Sequence, residues 1–561
     1  MLACRENWKP MATDCACAPR RGCARTKQPG KLRGRTASLI VAALSAPILA
    51  VAALSGCASL PTDYEKSESF AIRDSSQTAL GKLLTPITEQ HTDKSGFFPL
   101  ASGSDALVAR AELIEAAERT LDVQYYIWHA DLSGRLLVEL LLRAADRGVR
   151  VRLLLDDLDT AGKDFALAAI DAHPNVEIRL YNPFANRSSR GFDFVTDLRR
   201  VNRRMHNKSL TVDNQATIVG GRNIGNEYFG ADSATQFSDL DVLAVGPVVA
   251  EVSGAFDTYW NSEWVVPLSA FDADDPVTAD ELETARAGLQ DYLAAQRSSP
   301  YATAVRDSER IQHAEISELD YSWGRAMLLY DAPSKAQGTE VAEATHIGPS
   351  LVKVFDEAQS ELIVVSPYFV PGKKLVDYFG QLVDRGVRVR ILTNSLAAND
   401  VGVVHAGYMR YRVGLLENGV ELYEFKPVRG VDDQGAKKSW TGSSKASLHA
   451  KTFSVDRKYL FVGSFNLDPR SVVHNTEMGV LFESPELAAA LGDSVDNRLL
   501  QRAYRLELTS MSGNGQSSTP ALQWVTEENG EQVRYGKEPE TSFFQRFGTG
   551  FLSIFVIESL L

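Results

Sequence analysis

Two short stretches of this 561-residue chain repeat one set of side chains suited to phosphorus chemistry. The first reads His206-Asn207-Lys208, then Asp213, then Gly220-Gly221-Arg222-Asn223. The second reads His449-Ala450-Lys451, then Asp456, then Gly463-Ser464-Phe465-Asn466. Residues two apart on a strand share a face, so His206 points with Lys208 and His449 with Lys451. A glycine turn after each strand then returns Asn223 or Asn466 to the same place. A neutral imidazole can attack phosphorus, and a protonated one can donate to the leaving oxygen. Two ammonium groups and two amides can hold the non-bridging oxygens and stabilise the charge of the transition state. Four such donors leave no requirement for a metal or a cofactor. A lone His-x-Lys would be a weak signal; two complete copies form a strong one.

The elements around these motifs repeat as well. Asp146–Arg152 recurs unchanged as Asp384–Arg390. Apolar, strand-like runs precede each copy, Leu121–Trp128 and Leu362–Phe369. Amphipathic helices lie between, Gly134–Arg147 and Lys374–Arg385, and Gly148 and Gly386 close them. Further strands follow at Val149–Leu155 and Val387–Leu392, then at Val176–Tyr181 and Val420–Phe425. Strand–helix–strand units predict parallel sheets covered by helices. The expected fold is α/β, with two α/β/α domains about a pseudo-twofold axis, each on a mixed, largely parallel sheet, and one site between them. The predicted organisation is a signal segment 1–56, a linker 57–94, a first domain 95–266, a helical connector 267–349, a second domain 350–508 and an extension 509–561 with an apolar tail. The tail either packs on the body or touches lipid. Stretches 431–447 and 509–520 read as polar loops.

Beyond residue 56 the chain holds 50 Lys or Arg against 70 Asp or Glu, a poor polyanion binder unless its basic residues cluster. No nucleic acid is expected as a partner. The one dense basic cluster is Arg199, Arg200, Arg203 and Arg204, either a solvated face or a head-group contact. All five cysteines fall at or before Cys57, so the body can hold no disulfide and no cysteine metal site. Basic residues from Arg20 to Arg35, an apolar stretch Ala37–Ala53 and then Leu54-Ser55-Gly56-Cys57 have the layout of a secretory signal. The last four resemble a bacterial lipobox, which implies a lipidated Cys57 and a periplasm-facing place in the cell envelope. Ala58 after the cysteine favours the outer over the inner membrane. The alternative is an uncleaved signal anchor ending near Leu60.

The paired motifs resemble those of the phospholipase D superfamily over roughly Ser95 to Leu508. The resemblance implies that His206 is the nucleophile and that His449 is the general acid and then the base. It implies that Lys208, Lys451, Asn223 and Asn466 bind phosphate, and that Asp213 and Asp456 are structural. It further implies a carboxylate that orients each histidine: Glu477 in the second half and Asp239 in the first, with Asp241 close by. Ser464, His405, His474 and Arg204 are placed at the pocket. Finer features are similar to the cardiolipin synthase C type: Asn202–Met205, Gly221–Phe229, Thr393–Leu396, Asp400, His405–Tyr408 and Ile557–Leu561. That similarity implies phosphatidyl transfer between phospholipids, through a phosphohistidine, with phosphatidylglycerol as acceptor; the single shared site predicts a monomer, and a lipidated Cys57 would hold it at a membrane surface. A hydrolytic phospholipase D would use the same residues. The acidic body and the lack of an extended basic tract disfavour a nuclease, and two complete motifs disfavour a silent binding protein.

Overall fold

The computed structural model describes residues 59–231, 237–271, 276–299, 303, 314–337, 346–427, 447–509 and 521–555. The signal segment, Cys57, stretches 431–446 and 510–520, and the chain end from 556 lie outside the described residues.

Three parallel strands carry the repeat in each half. Thr120–Tyr125, Arg150–Asp156 and Val176–Tyr181 pair in that order. Glu361–Val365, Arg388–Asn394 and Glu421–Phe425 do the same in the second half. The crossover helices are Leu132–Asp146 and Gly372–Asp384. Both end alike. Gly148 and Gly386 sit at φ +93° and +89°, where a residue without Cβ avoids strain. The Gly148 N–H donates to Ala145 O and the Val149 N–H to Ala144 O, while Gly386 and Val387 donate to Val383 and Leu382. This double closure satisfies the last helical carbonyls. It explains why the heptapeptide survives in both copies. Its final arginines are core residues. Arg152 is buried against Asp122 and Asp257, and Arg390 against Glu361 and Asp496, as buried charge requires.

An antiparallel hairpin lies beside each parallel set: Ser209–Val212 with Ala216–Gly220, and Lys451–Val455 with Tyr459–Gly463. The motif aspartate starts each turn. Asp213 and Asn214, and Asp456 and Arg457, all have φ between +50° and +53°, the backbone of a type I′ turn. The Asp213 carboxylate accepts from the N–H groups of Glu118, Arg119 and Thr120. Asp456 accepts from Gln359, Ser360 and Glu361. Each aspartate therefore ties the hairpin to the start of the first parallel strand, which fixes where the histidine strand lies.

Among the described residues the two large sheets have nine and ten strands and a third, small sheet has two, all within one unit, Ser59–Leu561. A shared core joins the two large sheets, with Phe97, Val242 and Ala244 packed among Val462, Val480 and Phe482. The Phe97 and Phe482 rings stack at 3.9 Å. The stretch read as a helical connector does hold the helix Ala279–Ala295. It also supplies an edge strand to each sheet: Ser322–Gly324 pairs with Ser95–Leu100, and Ala326–Tyr330 with Met478–Glu483. The acidic, alanine-rich character ends before Tyr321, and the aromatic and aliphatic run that follows suits strands. Residues before 95 dock on the first half, where Lys66 donates to Ser262 O and Val265 O. The C-terminal extension adds two strands, Ala521–Glu528 and Glu531–Tyr535, to the second sheet. Its last helix, Phe543–Phe555, packs on Gly402–Tyr408. Among the described residues, no helix is long and apolar enough to cross a membrane.

Candidate active site

Each histidine strand is bridged to the other half. The His206 N–H donates to Thr476 O, and the Thr476 N–H to Arg204 O. In mirror fashion Ser447 and Leu448 pair with Phe237 and Ser238, and the His449 N–H donates to Ser238 O. These bridges deliver the carboxylates crosswise. Glu477 Oε2 lies 2.8 Å from His206 Nδ1, and Asp239 Oδ2 lies 2.5 Å from His449 Nδ1. Glu477 and Asp239 are the two carboxylates expected to orient the histidines, and each meets the histidine of the opposite half. Asp241 belongs to the scaffold, paired with Arg110 at 2.8 Å.

The glycines have a spatial reason. A Cβ on Gly221 would collide with the Asp239 carboxylate, and one on Gly220 with Asp241. In the second half Ser464 stands in place of Gly221. Its hydroxyl donates to Glu477 Oε2 at 2.5 Å and accepts from the Met478 N–H. The longer glutamate leaves room for that hydroxyl. Ser471 Oγ holds the other oxygen of Glu477 at 2.8 Å. Asp331 accepts from the Glu477 N–H, and Lys335 clamps Asp331 at 2.7 Å. Asp331 and Lys335 come from the connector and were not singled out in the sequence; their spacing of four is too common to mark a site.

Lys208 Nζ donates to His206 O at 2.6 Å, and Lys451 Nζ to His449 O at 2.5 Å. Burial lowers Lys208 to about 7 and Lys451 to about 8. Burial also holds His206 well below its ordinary value, and Lys208 and Lys451 add to that. His449 is lowered by burial and by Lys451, but Asp239 opposes the shift. Burial would raise Asp239, yet the His449 imidazole and Lys451 outweigh it and hold the carboxyl far below its usual range. At Glu477 burial outweighs Lys208 and the Ser464 hydrogen bond and pushes the carboxyl up to about 7. The two pairs are therefore unequal. Both rings are held towards the neutral form, His206 the more strongly, while the firmly ionised Asp239 eases protonation of His449.

Asn223 Nδ2 donates to Tyr228 OH at 2.9 Å, while Asn466 Oδ1 is buried with no protein partner among the described residues. Tyr126 meets the His206 ring edge-on at 5.0 Å, and Tyr228 and Phe237 flank His449. Tyr228 lies within the Gly221–Phe229 stretch singled out in the sequence, whereas Tyr126 and Phe237 carried no signal of their own. Two of the residues expected at the pocket, His405 and Arg204, stand differently. His405 is buried against Arg412 at 2.7 Å and near Glu538 of the C-terminal extension, so it serves packing there. Arg204 pairs with Asp156, which also accepts from the Met205 N–H; it braces the histidine strand rather than facing phosphate. His474 is half-buried in the π-turn Arg470–His474. Of the basic cluster, Arg199 alone is exposed. Arg200 and Arg203 bond the carbonyls of Pro183 and Lys335.

Two α/β/α halves that exchange carboxylates across one His–Lys–Asn site define a duplicated phosphodiester-transfer fold. The chain belongs to the family described as "Cardiolipin synthase, PLD-like domain", which matches residues 111–260 and 351–499. It is 44% identical over 492 residues to cardiolipin synthase C of Escherichia coli (strain K12), across 86% of this chain and 99% of that protein. It is 33% identical to an uncharacterised protein of Helicobacter pylori (strain J99), across 89% and 96%. Among solved structures, a phosphatidylserine synthase of Haemophilus influenzae Rd KW20 aligns at a TM-score of 0.53 with 14% identity, covering 85% of this chain and all of that one; this likeness is one of fold.

Proposed function

We propose that this chain transfers a phosphatidyl group between phospholipids through a covalent phosphohistidine, making cardiolipin with phosphatidylglycerol as acceptor. The observation that carries this reading is the crossed, unequal pair of histidines above the two lysines. With Glu477 accepting from Nδ1–H, His206 presents the Nε2 lone pair to phosphorus. The N–P bond forms as the P–O bond to the donor's head-group alcohol breaks. That oxygen leaves with the electron pair and takes the Nε2 proton of His449, whose imidazolium Asp239 stabilises. Lys208, Lys451, Asn223 and Asn466 hold the non-bridging oxygens. The acceptor hydroxyl then gives its proton to His449 and attacks phosphorus, returning the lone pair to His206. One chain supplies every group, so a monomer suffices. The similarity to cardiolipin synthase C over nearly its whole length supports the choice of lipid. Purified protein given phosphatidylglycerol and phosphatidylethanolamine should yield cardiolipin by mass spectrometry. Phosphatidic acid as the sole product would replace transfer with hydrolysis.

The site's titrations make the pH profile narrow. Glu477, raised to about 7, is protonated below that pH and no longer fixes the His206 tautomer. Lys208 and Lys451, lowered to about 7 and 8, lose their charge above those values. His449, lowered by burial and Lys451, must also carry its proton, so the profile of kcat/KM should be a bell with its maximum at or just below about pH 7. Bound phosphate favours the ammonium forms, so the alkaline limb of kcat should lie higher. A kcat/KM flat from pH 6 to 9 would reject this account.

Membrane contact has two supports. Cys57, outside the described residues, is the proposed lipidation site. The helix Phe543–Phe555 presents Phe543, Phe544, Phe547 and Phe551 at 66%, 80%, 64% and 55% exposure, the one-sided stripe of an interfacial helix. In vesicle flotation, Cys57→Ala expressed in its host should weaken attachment. Phe544→Asp with Phe547→Asp should weaken it further. Unchanged flotation of the combined variant would exclude both contacts.

A further inference from the structure

An apolar cavity of about 390 Å³ opens beside the candidate site, behind Tyr126 and Asp156. Its floor is the outer side of the first sheet's helices, with Val138 and Leu142 from Leu132–Asp146 and Leu167 and Ile170 from Asp164–Asp171. Its roof is the helix Ala279–Ala295, which turns Leu282, Ala285 and Leu289 towards it. That spacing is one helical face, yet none of the helix's residues is buried. The roof is held at its edges by polar contacts. Arg286 pairs with Asp146, Gln290 donates to Glu139, and the Arg135 guanidinium lies 4.1 Å from the Tyr292 ring. The charged groups on the rim are paired as well: Lys163 Nζ is 2.6 Å from Asp159 and donates to Trp128 O. Asp156 accepts from Met205, Leu158 and Arg204. The lining thus offers mainly apolar contact.

The cavity and the candidate site share one wall. Tyr126 forms its inner wall and also touches the His206 ring, 5.0 Å centroid to centroid. The Lys208 ammonium lies 5.5 Å from the same Tyr126 ring. A ligand whose phosphate sits between the histidines and lysines therefore has an apolar cavity on the far side of the Tyr126 ring. We infer that this cavity binds one acyl chain of the phospholipid whose phosphate is at His206, with the helix Ala279–Ala295 as its roof. The inference rests on the phosphatidyl-transfer reading and extends it to a substrate subsite. It gives a role to a helix that the strand–helix–strand repeat does not need, and selectivity for chain length would reside there.

The test uses the purified enzyme with phosphatidylglycerol bearing a diazirine in one acyl chain, followed by peptide mapping. Label should fall in 164–171 and 279–295. Ala285→Trp, on the half-exposed roof, should lower the ratio of turnover on dioleoyl to dihexanoyl phosphatidylglycerol about tenfold, the scale of an altered apolar pocket. Leu289→Trp, one turn on, should do the same and guards against a folding defect peculiar to one variant. Label confined to other segments, or an unchanged ratio in both variants, would overturn the acyl-site inference while leaving phosphatidyl transfer intact. Wild-type enzyme that neither turns over nor takes label from either lipid would overturn the phosphatidyl-transfer reading, and this inference with it.

Discussion

His206→Ala and His449→Ala should each lower kcat on phospholipid by on the order of 10⁴-fold or more, and the double variant should be no slower than the worse single one. The reason is geometric. Both rings are buried, both stand over a lysine that bonds the histidine's own carbonyl, and each is fixed by a carboxylate from the other half. Neither can substitute for the other, because their electrostatic settings differ. His206 is the more strongly held neutral, which suits attack on phosphorus. His449 faces the firmly ionised Asp239, which suits proton donation. A phosphodiester with a p-nitrophenol leaving group separates the roles. It needs no acid to depart, so His449→Ala should release a burst of about one equivalent and then stall at the phosphoenzyme. His206→Ala should give no burst. Mass spectrometry should locate the adduct on the His206 peptide. A burst from His206→Ala, or near-normal turnover by either variant, would end the shared-site account.

The chemistry was legible in the sequence because it is written in local spacing. His-x-Lys puts two side chains on one strand face, and the repeated Asp–Arg–Gly–Val run marks a helix end that both copies realise with the same pair of hydrogen bonds. The strand–helix–strand order and its parallel pairing follow from these short-range signals. What was not legible depends on partners far apart in the chain. The bond from His206 to Glu477 spans 271 residues, and that from His449 to Asp239 spans 210. Nothing in the periodicity of either segment says which histidine each carboxylate meets; the inter-half bridges at Thr476 and Ser238 decide it. The edge strands in the connector were hidden for a similar reason. Ser322–Gly324 and Ala326–Tyr330 are short, and their stability comes from the sheet edges they complete, not from their own pattern. His405 was misplaced because closeness in sequence to the second motif did not reveal Arg412 and Glu538, which hold it elsewhere.

The crossed carboxylates make a second prediction that local pairing would not. In Asp239→Asn the amide cannot stabilise an imidazolium, so the loss should follow the need for an acid. On phospholipid, whose leaving group is a poor alkoxide, kcat should fall by on the order of 10³ to 10⁴, the scale of a mis-set histidine tautomer. On the p-nitrophenyl ester most of the first-step rate should return. In Glu477→Gln the amide can donate to Nδ1 of His206 and push its proton to Nε2, which removes the attacking lone pair. That defect is indifferent to the leaving group, so both substrates should suffer alike. Leaving-group sensitivity is thus carried by the half opposite the one that bears the acid. If each carboxylate served the histidine of its own half, the pattern would invert: Asp239→Asn would be insensitive to the leaving group and Glu477→Gln sensitive. Once the burst assay has fixed which histidine is the acid, the two single variants, assayed on two substrates, read out whether each half completes the other's chemistry. A reciprocal arrangement of this kind makes either half alone incompetent, since each would hold a histidine without its carboxylate.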